Sequence, residues 1–331
     1  EWKLRVAAGE PLPRTQEQLA IHGHAIEARI YAEDPQRDFL PSIGDIVHWR
    51  MPRPSPEVRV DTGFREGDTV SPYYDPMLAK LIVHAEDRAA ALRRMRAALA
   101  QCEIVGVTTN VALLERVIAN PAFAGGEVDT GLIERHRDAL LAPPGNLRQA
   151  LSVAGVAEWL REDAGRAADA DADPHSPWRA IDAWWPNSAA HRIVFDFDDA
   201  DGRHRVELVP QRDGHVRVTT AEGASDVKVV RRARDALAMT MDGARIRAHV
   251  IVRDAVRHVF GENLRHRFTR ADPMTGHDDD ETAGGHLMAP MSGTIVAILA
   301  QPGEAVARGA ALVVLEAMKM EHTIVATADG K

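Results

Sequence analysis

The chain has 331 residues, 45% hydrophobic and 27% charged, which is enough for two or three packed domains of a soluble globular kind. Its formal net charge of -9 leaves no electrostatic footprint for nucleic acid and no basic stripe along a helix, and no apolar run reaches the length of a membrane span. The lone cysteine, Cys102, excludes an internal disulfide, fits a reducing compartment, and reads as a small buried thiol on an apolar helix.

The opening "EWKLRVAAGE" is charged and lacks the apolar core of a signal peptide. From 1 to about 145, strand and helix patterns alternate. "GHAIEARIY" predicts a strand with Ile26, Ala28 and Ile30 on one face and Glu27, Arg29 and Tyr31 on the other. "MLAKLIVHA" predicts a more deeply buried strand. "EDRAAALRRMRAALAQ" predicts a helix with acidic residues in its first turn, and "TTNVALLERVIANP" a second, capped by Thr/Asn and stopped near Pro121. A third short helix is expected over about 132–140, and "APPGN" closes the unit.

"REDAGRAADADADPHSP" is Ala/Asp-rich and predicts a surface excursion or linker. Between about 178 and 270 the period changes to two. Seven or so short alternating strands, punctuated by Asp201-Gly202, Asp213-Gly214 and Asp242-Gly243, predict an antiparallel barrel or sandwich. "SPWRAIDAWWPN" just before them reads equally as a helix or as a hook that packs on the strands. "RADPMTGHDDDETAGGH" reads as a solvated tether, since its His and Asp residues repeat no metal-ligand spacing.

The last stretch, 286 to 331, holds short strands joined at Pro302-Gly303, at "MKM" and at Asp329-Gly330. About half of a small all-β module is legible, so the chain is expected to be a fragment. In "LVVLEAMKMEH", Lys319 sits between Met318 and Met320 at a hairpin tip between apolar strands. The geometry alone leaves a solubilising edge charge open.

"EAMKMEH", with "APMSG" upstream and "PGEAV" between, resembles the biotin-attachment module of biotin-dependent enzymes. The resemblance implies covalent biotin on Lys319, with Met318 and Met320 offering flexible apolar surface to a biotin protein ligase. Lipoyl modules share the fold, and a lipoyl carrier of a dehydrogenase complex stays open as an alternative. "HGHAIEARIYAED", "FLPSIGDI", "SPYYDPMLAKLIVH" and "GVTTNVALLERVI" resemble, in order, the C-terminal part of biotin carboxylase, an ATP-grasp enzyme. That resemblance implies that Arg29 is catalytic, lying beside bicarbonate and the biotin ureido group; a structural ion pair is its bland alternative. The family's ATP-binding and metal-binding parts lie upstream of the matched motifs. ATP, Mg and bicarbonate are therefore expected in the complete enzyme, with no ATP or metal ligands in this chain, which alone is expected to be inactive.

The order of units resembles α subunits of biotin-dependent acyl-CoA carboxylases. It implies an α+β C-terminal part of a biotin carboxylase domain (1–145) and an antiparallel β-barrel of the BT type, formed around a helix (146–270, with a leading linker). A linker (271–285) and an incomplete all-β hammerhead biotinyl domain (286–331) follow. It further implies a separate carboxyltransferase β subunit docked by the barrel, an acyl-CoA reached through that subunit, and an α6β6-type hetero-oligomer. Neither nucleic acid nor membrane is an expected partner. "EHT" after the lysine motif and "DPHSPW" favour the methylcrotonyl-CoA branch, which serves leucine breakdown; the geranyl-, propionyl- and acetyl-CoA branches stay open. A non-catalytic biotinyl carrier and scaffold is the alternative of a different class. The expected location is the bacterial cytoplasm, or the mitochondrial matrix for a eukaryotic source.

Overall fold

The computed structural model describes residues 1–167, 192–211, 213–233, 235–272, 289, 293–317 and 320–331. Three assemblies of strands follow one another along the chain.

The first is built on a three-stranded antiparallel sheet. Strand β1 (His24–Tyr31) pairs with β4 (Met77–Ala85), which pairs on its other edge with β3 (Val58–Thr62). The central position of β4 explains its near-continuous apolar run, Leu78, Ala79, Leu81 and Val83, all buried. In β1, Ile26, Ala28 and Ile30 are buried while Ala25, Glu27 and Arg29 are exposed, the alternation that the sequence predicts. Helix α1 (Arg88–Leu99) covers the apolar face. The acidic residues expected in its first turn precede it instead: Asp87 is the cap, and its carboxylate accepts from the Ala90 amide at 2.8 Å. Cys102 is buried, but it lies three residues beyond that helix rather than on it, and burial pushes its thiol up to about 12.

Helix α2 (Val111–Ala119) begins at Asn110, yet neither Thr nor Asn supplies a side-chain cap there. The expected cap is corrected: the Asn110 side chain is committed to β1 instead. The third helix, expected over 132–140, is two short pieces, Leu132–Arg135 and Arg137–Leu140, broken at His136. Two smaller strands, β2 (His48–Arg50) and β5 (Glu103–Val105), pair on the side of this unit that meets the barrel. The turn after β5 requires glycine. Gly106 has φ +116°, and a Cβ there would lie 1.9 Å from the Asp45 carbonyl oxygen.

The second assembly is a closed antiparallel barrel of eight strands. These are β6 (Ile193–Asp199), β7 (Gly202–Pro210), β8 (His215–Thr220), β9 (Gly223–Arg232), β10 (Ala236–Met241), β11 (Ala244–Arg253), β12 (Val256–Gly261) and β13 (Leu264–Arg270). Pairing of Phe197 with Arg270 and of Asp198 with Thr269 closes it and leaves no free edge. Asp242-Gly243 is a two-residue turn with positive φ at both positions, as its composition predicts. The eighth strand, "LRHRFTR", was not among the expected ones. Its cationic residues mask an inward row of Leu264, His266 and Phe268, in which a histidine takes an apolar position and burial lowers its pKa.

The barrel is filled by helix α3 (Leu147–Ala167). Residues 150 to 156 are all buried, without the exposed face of a surface helix, so this segment is enclosed on every side. Ala150, Leu151, Val153, Ala154 and Val156 share one core with Phe195, Phe197, Val206, Leu208, Met239 and Phe268. This corrects the sequence reading at two points. The helix at the barrel centre precedes the Ala/Asp-rich segment, and the first part of that segment, 161–167, continues the helix rather than forming a linker. "SPWRAIDAWWPN" and most of the 271–285 tether lie outside the described residues.

The third assembly is a three-stranded antiparallel sheet, β14 (Thr294–Ile298), β15 (Ala311–Ala317) and β16 (Met320–Val325), with β15 in the middle. Leu315 and Ala317 are buried in the same apolar cluster as the core of the first unit. Among the described residues no helix is long and apolar enough to cross a membrane.

Candidate functional site

Arg29 stands on the solvent face of β1, because Ala28 and Ile30 on either side of it are anchored in the core. Its side chain is 56% exposed. Nε donates to Glu27 Oε1 at 3.0 Å, two residues away on the same face. Hydrogen bonds to Glu27 and then Tyr31, with the charges of both adding, raise the guanidinium above its ordinary value, so it stays cationic at any working pH. Lys80 of β4 stands in register beside Arg29, and Asp61 of β3 stands in register beyond Lys80. A row of fixed charge therefore crosses the open face of the sheet. Sequence reading identified Arg29 and its face but not Lys80, whose neighbourhood is set by strand pairing alone.

The strand under Arg29 is held from the far side by Asn110, which is 6% exposed. The Tyr31 amide donates to Asn110 Oδ1 at 3.0 Å, and Asn110 Nδ2 donates to the Arg29 carbonyl at 3.2 Å. Asn110 Nδ2 also lies 3.4 Å from Glu33 Oε1. Burial raises the Glu33 carboxyl, Asn110 opposes that, and Asp75 adds to it, for a net upward shift. One side chain thus fixes both peptide groups that flank Ile30. The sequence signal was present in "GVTTN", but it reads as a helix cap.

The other predicted group lies at the opposite end of the chain. Lys319 and Met318 are outside the described residues, and of Met320 only the backbone is described, at the start of β16. Ala317 and Met320 pair directly across the antiparallel ladder of β15 and β16. Leu315 and His322 pair two steps further along the same ladder, Leu315 buried at 3% exposure.

Between the first unit and the barrel, Glu103 is an ionic knot at 3% exposure. Its carboxylate meets His249 Nδ1 at 2.5 Å, His48 Nε2 at 3.2 Å and Arg50 Nη1 at 3.2 Å. Burial pushes the carboxyl up, but the hydrogen bonds from His249 and His48 and the charges of His249 and Arg50 outweigh it and hold it at about 2. Within the barrel, Glu158 of α3, 2% exposed, accepts from Arg257 Nε at 2.9 Å and Arg270 Nη1 at 2.5 Å, and Glu162 accepts from Arg270 Nη2 at 2.6 Å. This pair of carboxylates fastens the enclosed helix to β12 and β13. Neither cluster has the exposure of a reacting site. Among the described residues no group of three or more His, Cys, Asp or Glu is placed to hold a metal ion.

Two of these assemblies match known families. Residues 27–135 match the family described as biotin carboxylase C-terminal domain, and residues 285–331 match the family described as biotin-requiring enzyme. The first assembly is thus similar to the C-terminal part of a biotin carboxylase domain and the third to a biotinyl module, with an eight-stranded antiparallel barrel between them. Over all of its length it is similar to the mitochondrial methylcrotonoyl-CoA carboxylase subunit alpha of Dictyostelium discoideum, with 36% identity, covering 49% of that protein. It is 31% identical to the mitochondrial propionyl-CoA carboxylase alpha chain of Mus musculus, across 99% of this chain and 46% of that one. A crystal structure of the biotin carboxylase domain of Hydrogenobacter thermophilus 2-oxoglutarate carboxylase, in complex with MgADP and bicarbonate, is 39% identical, with a TM-score of 0.42 over 43% of this chain and 31% of that one. The chain spans about half the length of the curated relatives it matches.

Proposed function

We propose that this chain is part of the α subunit of a biotin-dependent acyl-CoA carboxylase, of the methylcrotonyl-CoA branch. In this reading Lys319 carries biotin as an amide, which removes its charge and leaves a long arm. Arg29 is the group beside which that biotin is carboxylated. The observation that carries the reading is the solvent-facing, permanently charged Arg29 on a rigid strand, in one chain with the "EAMKMEH" acceptor motif. A fixed guanidinium stabilises negative charge developing on the ureido oxygen as biotin loses a proton. MgATP and bicarbonate supply the activated carboxyl group when bound in the whole enzyme; this chain's residues orient biotin and its anion.

The eight-stranded barrel is the docking element for a carboxyltransferase β subunit. The arm on Lys319 then delivers the carboxyl group there, with the effective concentration of a tethered reactant. The units divide at about 145, 270 and 285. The substrate branch is supported by the order of the relatives, methylcrotonoyl-CoA carboxylase subunits ahead of propionyl-CoA carboxylase chains. A bacterial cytoplasmic setting, or the mitochondrial matrix for a eukaryotic source, completes the reading.

The test is made in the intact protein. Arg29→Ala is expected to abolish most ATP-dependent carboxylation of free biotin while the fold and the biotin content stay unchanged. Lys319→Ala is expected to remove the streptavidin signal and the acyl-CoA reaction while sparing carboxylation of free biotin. Undiminished carboxylation by Arg29→Ala refutes the role of that residue. Preferential carboxylation of propionyl-CoA over methylcrotonyl-CoA by the assembled enzyme refutes the branch.

A further inference from the structure

In a chain of net charge -9, six arginines converge on one cleft of about 900 Å³ between the first unit and the barrel. Arg93 and Arg96 come from α1, Arg116 from α2, Arg50 from β2, Arg247 from β11 and Arg265 from β13. Three carboxylates, Glu103, Glu115 and Glu262, line the same cleft, which leaves an excess of three positive charges. Two of the six arginines are already paired, Arg50 with Glu103 and Arg265 with Glu115, each at 3.2 Å. Arg93, Arg96 and Arg247 have no ion pair among the described residues. Arg93 and Arg96 of α1 are exposed together on the side facing the cleft.

A second observation is independent of the charge count. Arg265 Nη1 donates to the Cys102 carbonyl at 2.9 Å and Nη2 to Glu115, but its Nε is buried without a hydrogen-bond partner. A buried donor left unmade carries a desolvation cost, and this one belongs to a side chain that lines the cleft. Arg116 is in a related position: it spends one nitrogen on the Leu140 carbonyl, and burial lowers its pKa, so its charge is only partly compensated.

We propose that this cleft binds an oligophosphate group, the diphosphate of a nucleotide or of a similar phosphate ester. Guanidinium forks arriving from two helices and from two barrel strands suit an anion with several oxygens in different directions, which a single carboxylate does not offer. The volume exceeds what one monovalent ion fills and falls in the range of small-molecule sites. A nucleic-acid duplex requires an open basic face, and the overall charge of -9 opposes it. The site lies apart from the Arg29 face of the sheet, so the proposal stands independently of the carboxylation reading.

The experiment is calorimetric titration of the purified chain with inorganic pyrophosphate and, separately, with ADP, at low and at moderate salt. Expected is saturable one-to-one binding with Kd below about 1 mM, weakened by salt. Arg96→Gln/Arg247→Gln is expected to weaken it at least about tenfold, with an unchanged thermal melt. Where that double variant melts early, Arg93→Gln alone must weaken binding in the same direction. ADP equal to pyrophosphate assigns the site to the phosphates alone, and ADP at least about tenfold tighter assigns it to a nucleotide. No saturable binding of either probe, or binding that the arginine variants leave unchanged, overturns the proposal.

Discussion

Glu103 Oε1 and His249 Nδ1 lie 2.5 Å apart and join the first unit to the barrel. Glu103 ends the short β2–β5 ladder, and His249 sits on β11, so this one carboxylate couples two assemblies with separate cores. The carboxyl is held at about 2, against an ordinary value of 4.5. A depressed carboxylate contributes its stability above the unfolded-state pKa and loses it as the pH falls through the folded value. The coupling is therefore complete above pH 4.5 and fades as the pH falls towards 2, by on the order of 3 kcal/mol. Urea denaturation across this window should show wild-type stability falling steeply and Glu103→Gln falling less. Equal pH slopes would remove Glu103 as the cause.

Among the described residues, Arg257 and Glu158 make the most deeply buried ion pair, each 2% exposed, between β12 and the enclosed helix. Arg257→Ala leaves Glu158 buried with a single strong partner, and should cost about 3–5 kcal/mol. Arg257→Met with Glu158→Leu should cost much less, because the desolvation of both charges is relieved together and Arg270 retains Glu162. Equilibrium unfolding of the three proteins checks the order. A double variant worse than Arg257→Ala would contradict it.

Gly155 faces the wall of the barrel, where an added Cβ would stand 2.7 Å from Val206 Cγ1. Helix propensity alone favours alanine by about 1 kcal/mol. The clash, with a branched side chain that has little freedom to move, should outweigh it at about 1–3 kcal/mol. Gly155→Ala is thus expected to lower Tm, and adding Val206→Ala should recover part of the loss. A rise in Tm for the single variant would show that the wall yields.

Asn110 bonds the Tyr31 amide and the Arg29 carbonyl with one side chain. Asn110→Ala should destabilise by about 1–3 kcal/mol. On the proposed role of Arg29, it should also reduce carboxylation of free biotin in the intact protein, because the strand that orients Arg29 is released. Asn110→Asp keeps the acceptor for Tyr31 but sets a buried carboxylate against the Arg29 carbonyl and Glu33, so it should destabilise at least as much as Asn110→Ala. Full activity in Asn110→Ala would confine this residue to a structural role.

Much of this was legible in the order of residues. Alternation in "HAIEARIY" placed Arg29 opposite the core, because side chains in a strand take alternate faces whatever the strand packs on. The Asp-Gly dipeptides marked barrel turns, since positive φ is a local requirement. The eighth strand escaped because "LRHRFTR" carries a histidine at an inward position and cations at the outward ones, a pattern that is apolar only once the barrel wall is known. The central helix escaped for the opposite reason. A helix enclosed on all sides has no amphipathic period, and "LSVAGVAEWL" shows none.

The sequence by itself determined the local conformations, the face of Arg29 and the "EAMKMEH" motif around Lys319, because each depends on residues within a few positions of one another. Tertiary structure alone decided which distant residues became neighbours. It set Lys80 beside Arg29 through strand register, turned Asn110 from cap to brace, and buried Glu103 against His249 and Glu158 against Arg257. It also gathered arginines from two helices and three strands into one cleft of an acidic protein. Net charge is a sum over the chain, whereas a binding field depends on distance, and distance is fixed only by the fold.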